Sequence, residues 1–350
     1  MTVSLDQHIP ELDWIQIEIT TNCNADCIYC PNSLIKTKKD LPFNSFQKLL
    51  PILTQANLVY LQGWGEPLLN TGIFEMIRIC KEQKIPVGFT TNGMLLDEDA
   101  AEKLVDLQLD ILAVSFAGST DVTHNKIRKG TDFKKIISNL NTLNQIKSRK
   151  KSSLPKLHLA YIMLRSNFEE IDNIAALAVE LNASQIVLSN LTLLLNLELG
   201  KEALFNDEKN YEYYISTLEK LKKIFAQNNI ILDYSRPSLG HFPQICSENV
   251  SNSLVIDVNG NVSPCVFTMP SLSERSERDF SKIFFRYFKE KKVPVSNISF
   301  GNVNSEKIND IWNKKEYINF RKYFSHGNLI IGNLDTQLPE TCKTCYKSFV

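Results

Sequence analysis

The sequence predicts an α/β fold: a partial barrel of six strand–helix units, (β/α)6, followed by a smaller α+β domain. Short apolar runs alternate with longer segments whose apolar residues recur at helical spacing. Such alternation is typical of a parallel sheet with right-handed crossovers. Six units are fewer than the eight that close a barrel of about 250 residues, so the barrel is expected to stay open. From residue 230 onward, short strands and turns replace this pattern and indicate a second domain.

The individual elements follow from local patterns along the chain. Residues 14–19 read W-I-Q-I-E-I, an apolar alternation that predicts the first strand. Asp97 precedes an apolar-periodic run and is the expected N-cap of its helix. Residues 191–207 are expected to form a loop, and the polar, basic residues 267–298 a surface loop with a short helix. The other predicted strands cover residues 58–61, 86–90, 111–116, 156–164 and 185–188, and the predicted helices cover residues 43–54, 73–83, 97–107, 133–146, 169–181 and 211–228.

Composition and charge indicate an ordinary globular protein of the cytoplasm. The chain has 350 residues, 43% of them hydrophobic, with 39 basic and 39 acidic side chains. This length suits an N-terminal arm (residues 1–13), a barrel (14–230) and a second domain (231–350). Because the charges balance, the composition does not favour a nucleic-acid partner. No signal peptide is expected, and the longest apolar run, residues 191–199, is too short to span a membrane.

Three of the eight cysteines lie directly after the first predicted strand. Cys23, Cys27 and Cys30 have the spacing C-x3-C-x2-C, and a short loop after a strand directs their thiols to one place, which suits a soft metal. Three thiolates cannot fill the four iron corners of a cubane cluster, so one iron would stay open. The alternatives are a structural zinc site or buried thiols. Zinc prefers two pairs of ligands or a Cys/His quartet, and no fourth ligand lies nearby in the sequence.

The other cysteines are one isolated residue and a C-terminal group. Cys80 lies in a segment with helical periodicity and is interpreted as a small core residue. Because cytoplasmic proteins seldom keep disulfides, the remaining cysteines favour metal or redox chemistry. They are enough to ligate one complete iron–sulfur cluster or one structural zinc ion. This C-terminal group consists of Cys246, Cys265, Cys342 and Cys345.

The first cysteine motif resembles the signature of the radical S-adenosylmethionine (SAM) superfamily. The resemblance implies a [4Fe-4S] cluster on Cys23, Cys27 and Cys30 whose fourth iron binds SAM. It also implies that an electron from this cluster cleaves SAM to a 5'-deoxyadenosyl radical, which abstracts hydrogen from a substrate C–H bond. The implied partner is an external one-electron donor of the flavodoxin or ferredoxin type.

Residues 64–67, W-G-E-P, resemble the GGEP motif of the same superfamily. Trp64 replaces the first glycine of that motif. The resemblance implies that Gly65 and Glu66 hold the SAM amine, because backbone carbonyls and a carboxylate suit an ammonium group.

Four further residues resemble SAM contacts of the superfamily. Asn92 and Ser115 stand after or near the end of predicted strands, where the superfamily binds the SAM carboxylate and the ribose hydroxyls. Arg128 resembles a basic residue that pairs with the carboxylate, and Tyr29 an aromatic residue that packs beside the adenine. Because loops that follow parallel strands meet at one edge of the sheet, these residues are expected to lie together.

The C-terminal cysteine pattern resembles the SPASM and twitch domains, which carry auxiliary clusters in radical SAM enzymes. Asn-Gly at residues 259–260, between two apolar runs, predicts a hairpin, and Cys265 follows Gly260 with G-x4-C spacing. Four cysteines match the single-cluster twitch arrangement, and a zinc ion bound by four thiolates is the alternative. The resemblance implies a second [4Fe-4S] cluster on Cys246, Cys265, Cys342 and Cys345.

The resemblance covers nearly the whole chain and implies an oxidoreductase or maturase that acts on a small molecule, a cofactor or a peptide. It leaves the net reaction open among dehydrogenation, crosslinking and epimerisation. Similar motif contexts occur in cofactor-modifying proteins linked to tungsten-pterin enzymes, in aminocyclitol dehydrogenases and in peptide maturases. A ribosomal peptide is less favoured, because no peptide-binding domain is recognised before Trp14. The alternative class is a non-catalytic iron–sulfur electron carrier or a zinc-binding protein.

Overall fold

The structure, a computed structural model, describes residues 9–239, 246–272, 284–324 and 338–349. The first eight residues of the predicted N-terminal arm, and residues 273–283 of the predicted insertion, lie outside the described residues. The strands are β1 (Trp14–Ile17), β2 (Asp26–Cys27), β3 (Val59–Tyr60), β4 (Val87–Thr91), β5 (Ile111–Phe116), β6 (Arg128–Lys129), β7 (Lys156–Met163), β8 (Gln185–Asn190), β9 (Ile231–Tyr234), β10 (Ser253–Ile256), β11 (Asn261–Ser263), β12 (Phe284–Phe288), β13 (Lys291–Val295) and β14 (Gly301–Asn302).

The helices alternate with the strands up to β9. Asp97 is the N-cap of its helix, as predicted, and its side chain accepts a hydrogen bond from the amide of Ala100 at 2.9 Å. Among the described helices, none is both long enough and apolar enough to cross a bilayer. The helices are α1 (Phe43–Leu53), α2 (Ile73–Glu82), α3 (Glu98–Asp106), α4 (Asp121–Ile127), α5 (Phe133–Arg149), α6 (Ile171–Glu180), α7 (Leu197–Glu202), α8 (Tyr211–Gln227), α9 (Ile308–Trp312), α10 (Lys315–Lys322) and α11 (Glu340–Lys343).

One large sheet organises the molecule. Its strands follow the order β14-β11-β10-β1-β3-β4-β5-β7-β8-β9, with parallel pairing from β10 to β9 and antiparallel pairing of β11 and β14 beyond β10. In the part of the chain that the structure describes, the sheet has two ends and does not close into a barrel, which confirms the predicted open α/β fold. The division at residues 230 and 231 stays a prediction, although β9 pairs with β8 and so continues the sheet of the N-terminal part.

One large apolar cluster lies between the sheet and its helices. Leu112 on β5, Leu104 on α3 and Leu140 on α5 are all completely buried within it. Cys80 on α2 is buried in the same cluster, which confirms its interpretation as a core residue. Burying each of these leucine side chains contributes about 1.5–3 kcal/mol, so the helices are held to the sheet mainly by their apolar faces.

Two expectations about the C-terminal half of the barrel and the insertion are wrong in detail. The predicted loop at 191–207 contains α7, whose N-cap Asn196 accepts a hydrogen bond from the amide of Leu199 at 2.9 Å. In its described residues, the insertion at 267–298 contains the short 3-10 helix Pro270–Leu272 and also the antiparallel hairpin β12–β13, which was not predicted. The basic composition of the insertion suggested a solvated loop, whereas Phe284 on β12 and Val295 on β13 are buried in an apolar cluster.

Candidate functional site

The N-terminal cysteine loop is anchored to β6. Cys27 in β2 pairs with Arg128 in β6, in antiparallel register. The amide of Cys30 donates to the carbonyl of Cys27 at 3.0 Å, and the amide of Asn32 donates to the Cys30 Sγ at 3.5 Å, so a tight turn joins these two cysteines. The thiols of all three cysteines in this loop are free and only partly exposed.

Two glycines allow neighbouring loops to approach the cysteine loop closely. Gly130 has a φ of +82°, and a Cβ atom there would lie 3.0 Å from the carbonyl oxygen of Asn24. A Cβ atom on Gly65 would lie 2.3 Å from the carbonyl oxygen of Thr20 and 2.7 Å from that of Asn22. Both contacts are with backbone atoms that cannot move aside alone, so glycine is required at each position.

The buried carboxylate of Glu66 connects the loop after β3 to the loop after β4. It accepts hydrogen bonds from the Oγ1 of Thr91 and the amide of Asn92, each at 2.7 Å, and from the amide of Leu68 at 3.2 Å. Burial raises the pKa of this carboxyl group, and the hydrogen bond from the Asn92 amide opposes the shift. The Nδ2 of Asn92 donates to the Oδ1 of Asn24 at 2.7 Å. The network therefore brings Glu66 and Asn92 to the cysteine loop.

Arg128 and Tyr29 form a buried pair beside the same loop. The Nη1 of Arg128 donates to the hydroxyl of Tyr29, while the Nε has no hydrogen-bond partner among the described residues. Burial alone would lower the pKa of Arg128, but the charges of Tyr29 and the three thiolates together raise it. Burial also raises the pKa of Cys30 to about 12, so metal binding at this thiol must release a proton. Ser115 is half-buried on β5, one residue before the strand ends.

The four C-terminal cysteines line a single cavity, although three chain segments supply them. Burial raises the pKa of Cys265 to about 12, and it also raises the pKa of Cys342, where the positive charge of Arg286 opposes the shift. Arg286 on β12 lines the same cavity and is 1% exposed. This arginine was not predicted as a site residue, because it lies in a segment expected to be a solvated loop.

Glu18 and Trp64 connect the two cysteine regions and were also missed as site residues. Glu18 is completely buried, and its carboxylate accepts hydrogen bonds from the amides of Trp64 at 3.0 Å and Val258 at 3.4 Å. The indole Nε1 of Trp64 donates to the carbonyl of Val266 at 3.3 Å, and the ring packs edge-on against Phe267 with centroids 5.8 Å apart. In the alternation of the first predicted strand, Glu18 falls on the same side as Trp14 and Gln16, which are only half-buried, so the pattern gives no signal that Glu18 is buried.

The donor atoms in both regions fit iron–sulfur clusters chemically. In the described residues, no group of three or more His, Cys, Asp or Glu side chains is arranged to hold a metal ion. The thiols are nevertheless free of disulfides, soft in character and gathered by the fold, three in one loop and four around one cavity. The unpartnered Nε atoms of Arg128 and Arg286 lie beside these two groups, which suits sites that carry negative charge.

Comparison with protein families matches two parts of the chain. Residues 17–178 match the Radical SAM superfamily, and residues 246–346 match SPASM, an iron-sulfur cluster-binding domain. The second match begins at Cys246 and ends one residue after Cys345, so it spans all four cysteines of the C-terminal cavity.

Curated relatives and solved structures resemble the chain over most of its length. The tungsten-containing aldehyde ferredoxin oxidoreductase cofactor-modifying protein of Pyrococcus furiosus is 23% identical over 339 residues, covering 95% of this chain and 89% of the relative. A PqqA peptide cyclase of Gluconobacter oxydans is 22% identical over 335 residues, covering 94% and 81%. The crystal structure of Streptococcus suis SuiB bound to precursor peptide SuiA has a TM-score of 0.64 at 13% identity, covering 97% of this chain and 70% of that one, and shows a shared fold.

Proposed function

The chain belongs to the radical SAM superfamily and carries a C-terminal SPASM domain, and from this premise we propose that it matures a cofactor precursor or a peptide. The enzyme class follows from the family, and the substrate class is supported by the curated relatives. These include the cofactor-modifying protein described above and several PqqA peptide cyclases. The mycofactocin maturase of Mycolicibacterium smegmatis is a further relative, 22% identical over 169 residues.

The observation that carries the proposal is the different number of thiols in the two groups. Three free thiols in one loop would leave one iron of a [4Fe-4S] cluster without a protein ligand, whereas four thiols around one cavity would ligate a cluster completely. When bound, the first cluster and SAM supply reductive cleavage to a 5'-deoxyadenosyl radical that can take hydrogen from a C–H bond. We propose Cys23, Cys27 and Cys30 as ligands of the first cluster, and Cys246, Cys265, Cys342 and Cys345 as ligands of the second.

The residues around the cysteine loop would bind and orient SAM. Gly65 would let the SAM amine approach the backbone, since this loop already lies against Thr20 and Asn22. Glu66 would act mainly by fixing the positions of this loop and of Asn92, because its oxygens accept hydrogen bonds from both. This role differs from direct binding of the amine and is supported by the buried network.

The buried pair beside the loop would supply the remaining polar contacts. The positive charge and unpartnered Nε of Arg128 would attract the SAM carboxylate, and Tyr29, held by Arg128, would pack beside the adenine. Ser115 on β5 would contact the ribose. An external electron donor of the flavodoxin or ferredoxin type would reduce the first cluster.

Release of 5'-deoxyadenosine tests the assignment of the first site. Anaerobically reconstituted protein is incubated with SAM and dithionite, and the nucleoside is quantified by chromatography. Cys30→Ala should abolish release, and Cys345→Ala should retain part of it. Cys80→Ala is the matched control because this thiol is buried in the core, and it should keep wild-type release. Release by Cys30→Ala at the wild-type rate would refute the first site.

Hydrogen transfer tests the substrate class. Peptides encoded beside the gene, and pterin cofactor precursors, are added separately to the SAM cleavage assay with substrate labelled by deuterium. The true substrate should accelerate nucleoside release and transfer deuterium into 5'-deoxyadenosine. Cleavage of SAM without transfer from any peptide or cofactor precursor would contradict the proposed substrate class while leaving the enzyme class intact.

A further inference from the structure

We propose that Arg286 sets the reduction potential of the auxiliary cluster by placing an uncompensated positive charge beside its four cysteine ligands. The inference rests on the proposed ligation by the C-terminal cysteines. It assigns a specific role to the hairpin β12–β13, which carries Arg286.

The position of Arg286 is the first observation. Its side chain is 1% exposed, and it lines the cavity around which the four cysteines are grouped. The Nη2 donates to the carbonyl of Thr341 and, at 3.0 Å, to the Oγ1 of Thr344. Thr341 immediately precedes Cys342 and Thr344 immediately precedes Cys345, so the guanidinium is fixed to the segment that carries two of the ligands.

The unused hydrogen-bonding capacity of Arg286 is the second observation. Its Nε is buried and has no hydrogen-bond partner among the described residues. A buried donor without a partner destabilises the folded state, and more so in a charged group, so such an arrangement calls for an acceptor. The thiolates and the sulfides of a cluster in the same cavity are acceptors of the right charge.

The charge balance of the cavity is the third observation. Lys347, the other cation that lines it, forms an ion pair with Glu248 at 2.9 Å. The ion pairs found in the described residues include none for Arg286, whose partners are a carbonyl and a hydroxyl. A buried guanidinium without an opposite charge nearby strongly destabilises the folded state. The cysteine thiolates and a cluster bound to them would provide that charge.

A redox consequence follows from this balance. A cubane cluster with four thiolate ligands is anionic, and one-electron reduction by dithionite adds one more negative charge to it. A fixed positive charge in a cavity that excludes water stabilises the reduced form more than the oxidised form. Arg286 should therefore raise the reduction potential and make the auxiliary cluster easier to reduce.

The experiment isolates the auxiliary cluster in the full-length chain. A variant with Cys23, Cys27 and Cys30 all changed to Ala lacks the proposed ligands of the first cluster, so its iron signal reports the second site alone. Reconstituted protein is titrated with dithionite in the presence of mediator dyes, and the reduced cluster is followed by electron paramagnetic resonance. Arg286→Gln should lower the equilibrium constant for reduction at least tenfold, which is 59 mV for a one-electron couple.

Three further variants separate electrostatics from simple support of the fold. Arg286→Lys keeps the charge and should stay closer to wild type than Arg286→Gln. In Thr344→Asp the new carboxylate would pair with Arg286 and neutralise its charge, so the reduction potential should fall as it does in Arg286→Gln. If Arg286→Gln retains no iron, Thr344→Asp tests the electrostatic effect in its place. Lys291→Gln removes an exposed charge from the same hairpin and should leave the potential unchanged.

The outcomes distinguish this inference from the proposed function. If Arg286→Gln, or Thr344→Asp in its place, binds iron fully and keeps the wild-type potential, the inference is wrong and the ligand assignment survives. If the triple cysteine variant binds zinc and no iron at its C-terminal site, both the ligand assignment and the inference are overturned. A purely structural role would lower iron content and thermal stability in the Gln and Lys variants without an ordered change in potential.

Discussion

Glu18→Gln should change how the stability of the protein depends on pH. Glu18 is completely buried just after β1, and burial raises the pKa of its carboxyl group from the ordinary value of 4.5 to about 7. Hydrogen bonds from Trp64 and Val258 partly oppose this shift, and the charge of the neighbouring Asp257 adds to it. The glutamine variant keeps an acceptor for the Trp64 amide but has no group that ionises.

The sign and size of the effect follow from proton linkage. Between pH 4.5 and about 7 the folded protein holds this proton more tightly than the unfolded chain does, so stability falls as the pH rises through this window. A shift from 4.5 to about 7, at 1.36 kcal/mol per pH unit, corresponds to about 3 kcal/mol. The stability of Glu18→Gln should not fall in this window. Its free energy of unfolding relative to wild type should therefore increase by about 3 kcal/mol between pH 4.5 and pH 8.

The assay is anaerobic thermal unfolding of the reconstituted proteins at a series of pH values. For a chain of 350 residues, 1 kcal/mol corresponds to roughly 1–2 °C in Tm, so the difference between variant and wild type should grow by about 4 °C. Any pH dependence of cluster binding is common to both proteins and cancels in this difference. Glu316→Gln, an exposed carboxylate on α10, is the control. A difference in Tm that is the same at pH 5 and pH 8 would refute the reasoning.

Three further predictions concern the loop after β3. Gly65→Ala should lower 5'-deoxyadenosine release more than tenfold, because its Cβ would lie 2.3 Å from the carbonyl oxygen of Thr20; release at the wild-type rate would show that the loops can separate freely. Glu66→Gln should lower the free energy of unfolding in urea by about 1–3 kcal/mol, because the new NH2 group would face the backbone N–H of Asn92. An unchanged urea midpoint would count against the hydrogen-bond network of Glu66. Trp64→Gly should lower the free energy of unfolding by about 1–3 kcal/mol, because the ring no longer packs on Phe267, whereas Trp64→Phe should keep most of this stability. Equal losses of stability in the two variants would argue against the ring contact.

The order of the strand–helix units could be predicted because it depends on local patterns. Apolar periodicity identified the strand at Ile111–Phe116 at both ends, and the N-cap Asp97 was recognisable from its position before an apolar-periodic run. The cysteine spacings were equally informative, because thiols three or four residues apart lie close together in any compact loop. The hairpin β12–β13 could not be predicted in the same way, since its lysines mask the apolar face that packs on the core.

The amino-acid sequence was enough to predict the alternating α/β architecture, the two groups of cysteines and the chemistry that their spacing favours. The parallel pairing of β10 with β1, which brings Val258 to Glu18 across 240 positions of the chain, became visible only in the folded protein. The same is true of Arg286, which lines the cavity of the C-terminal cysteines from a separate hairpin. Local propensity records only the neighbours of a residue along the chain, whereas these contacts depend on how the complete sheet and its loops pack.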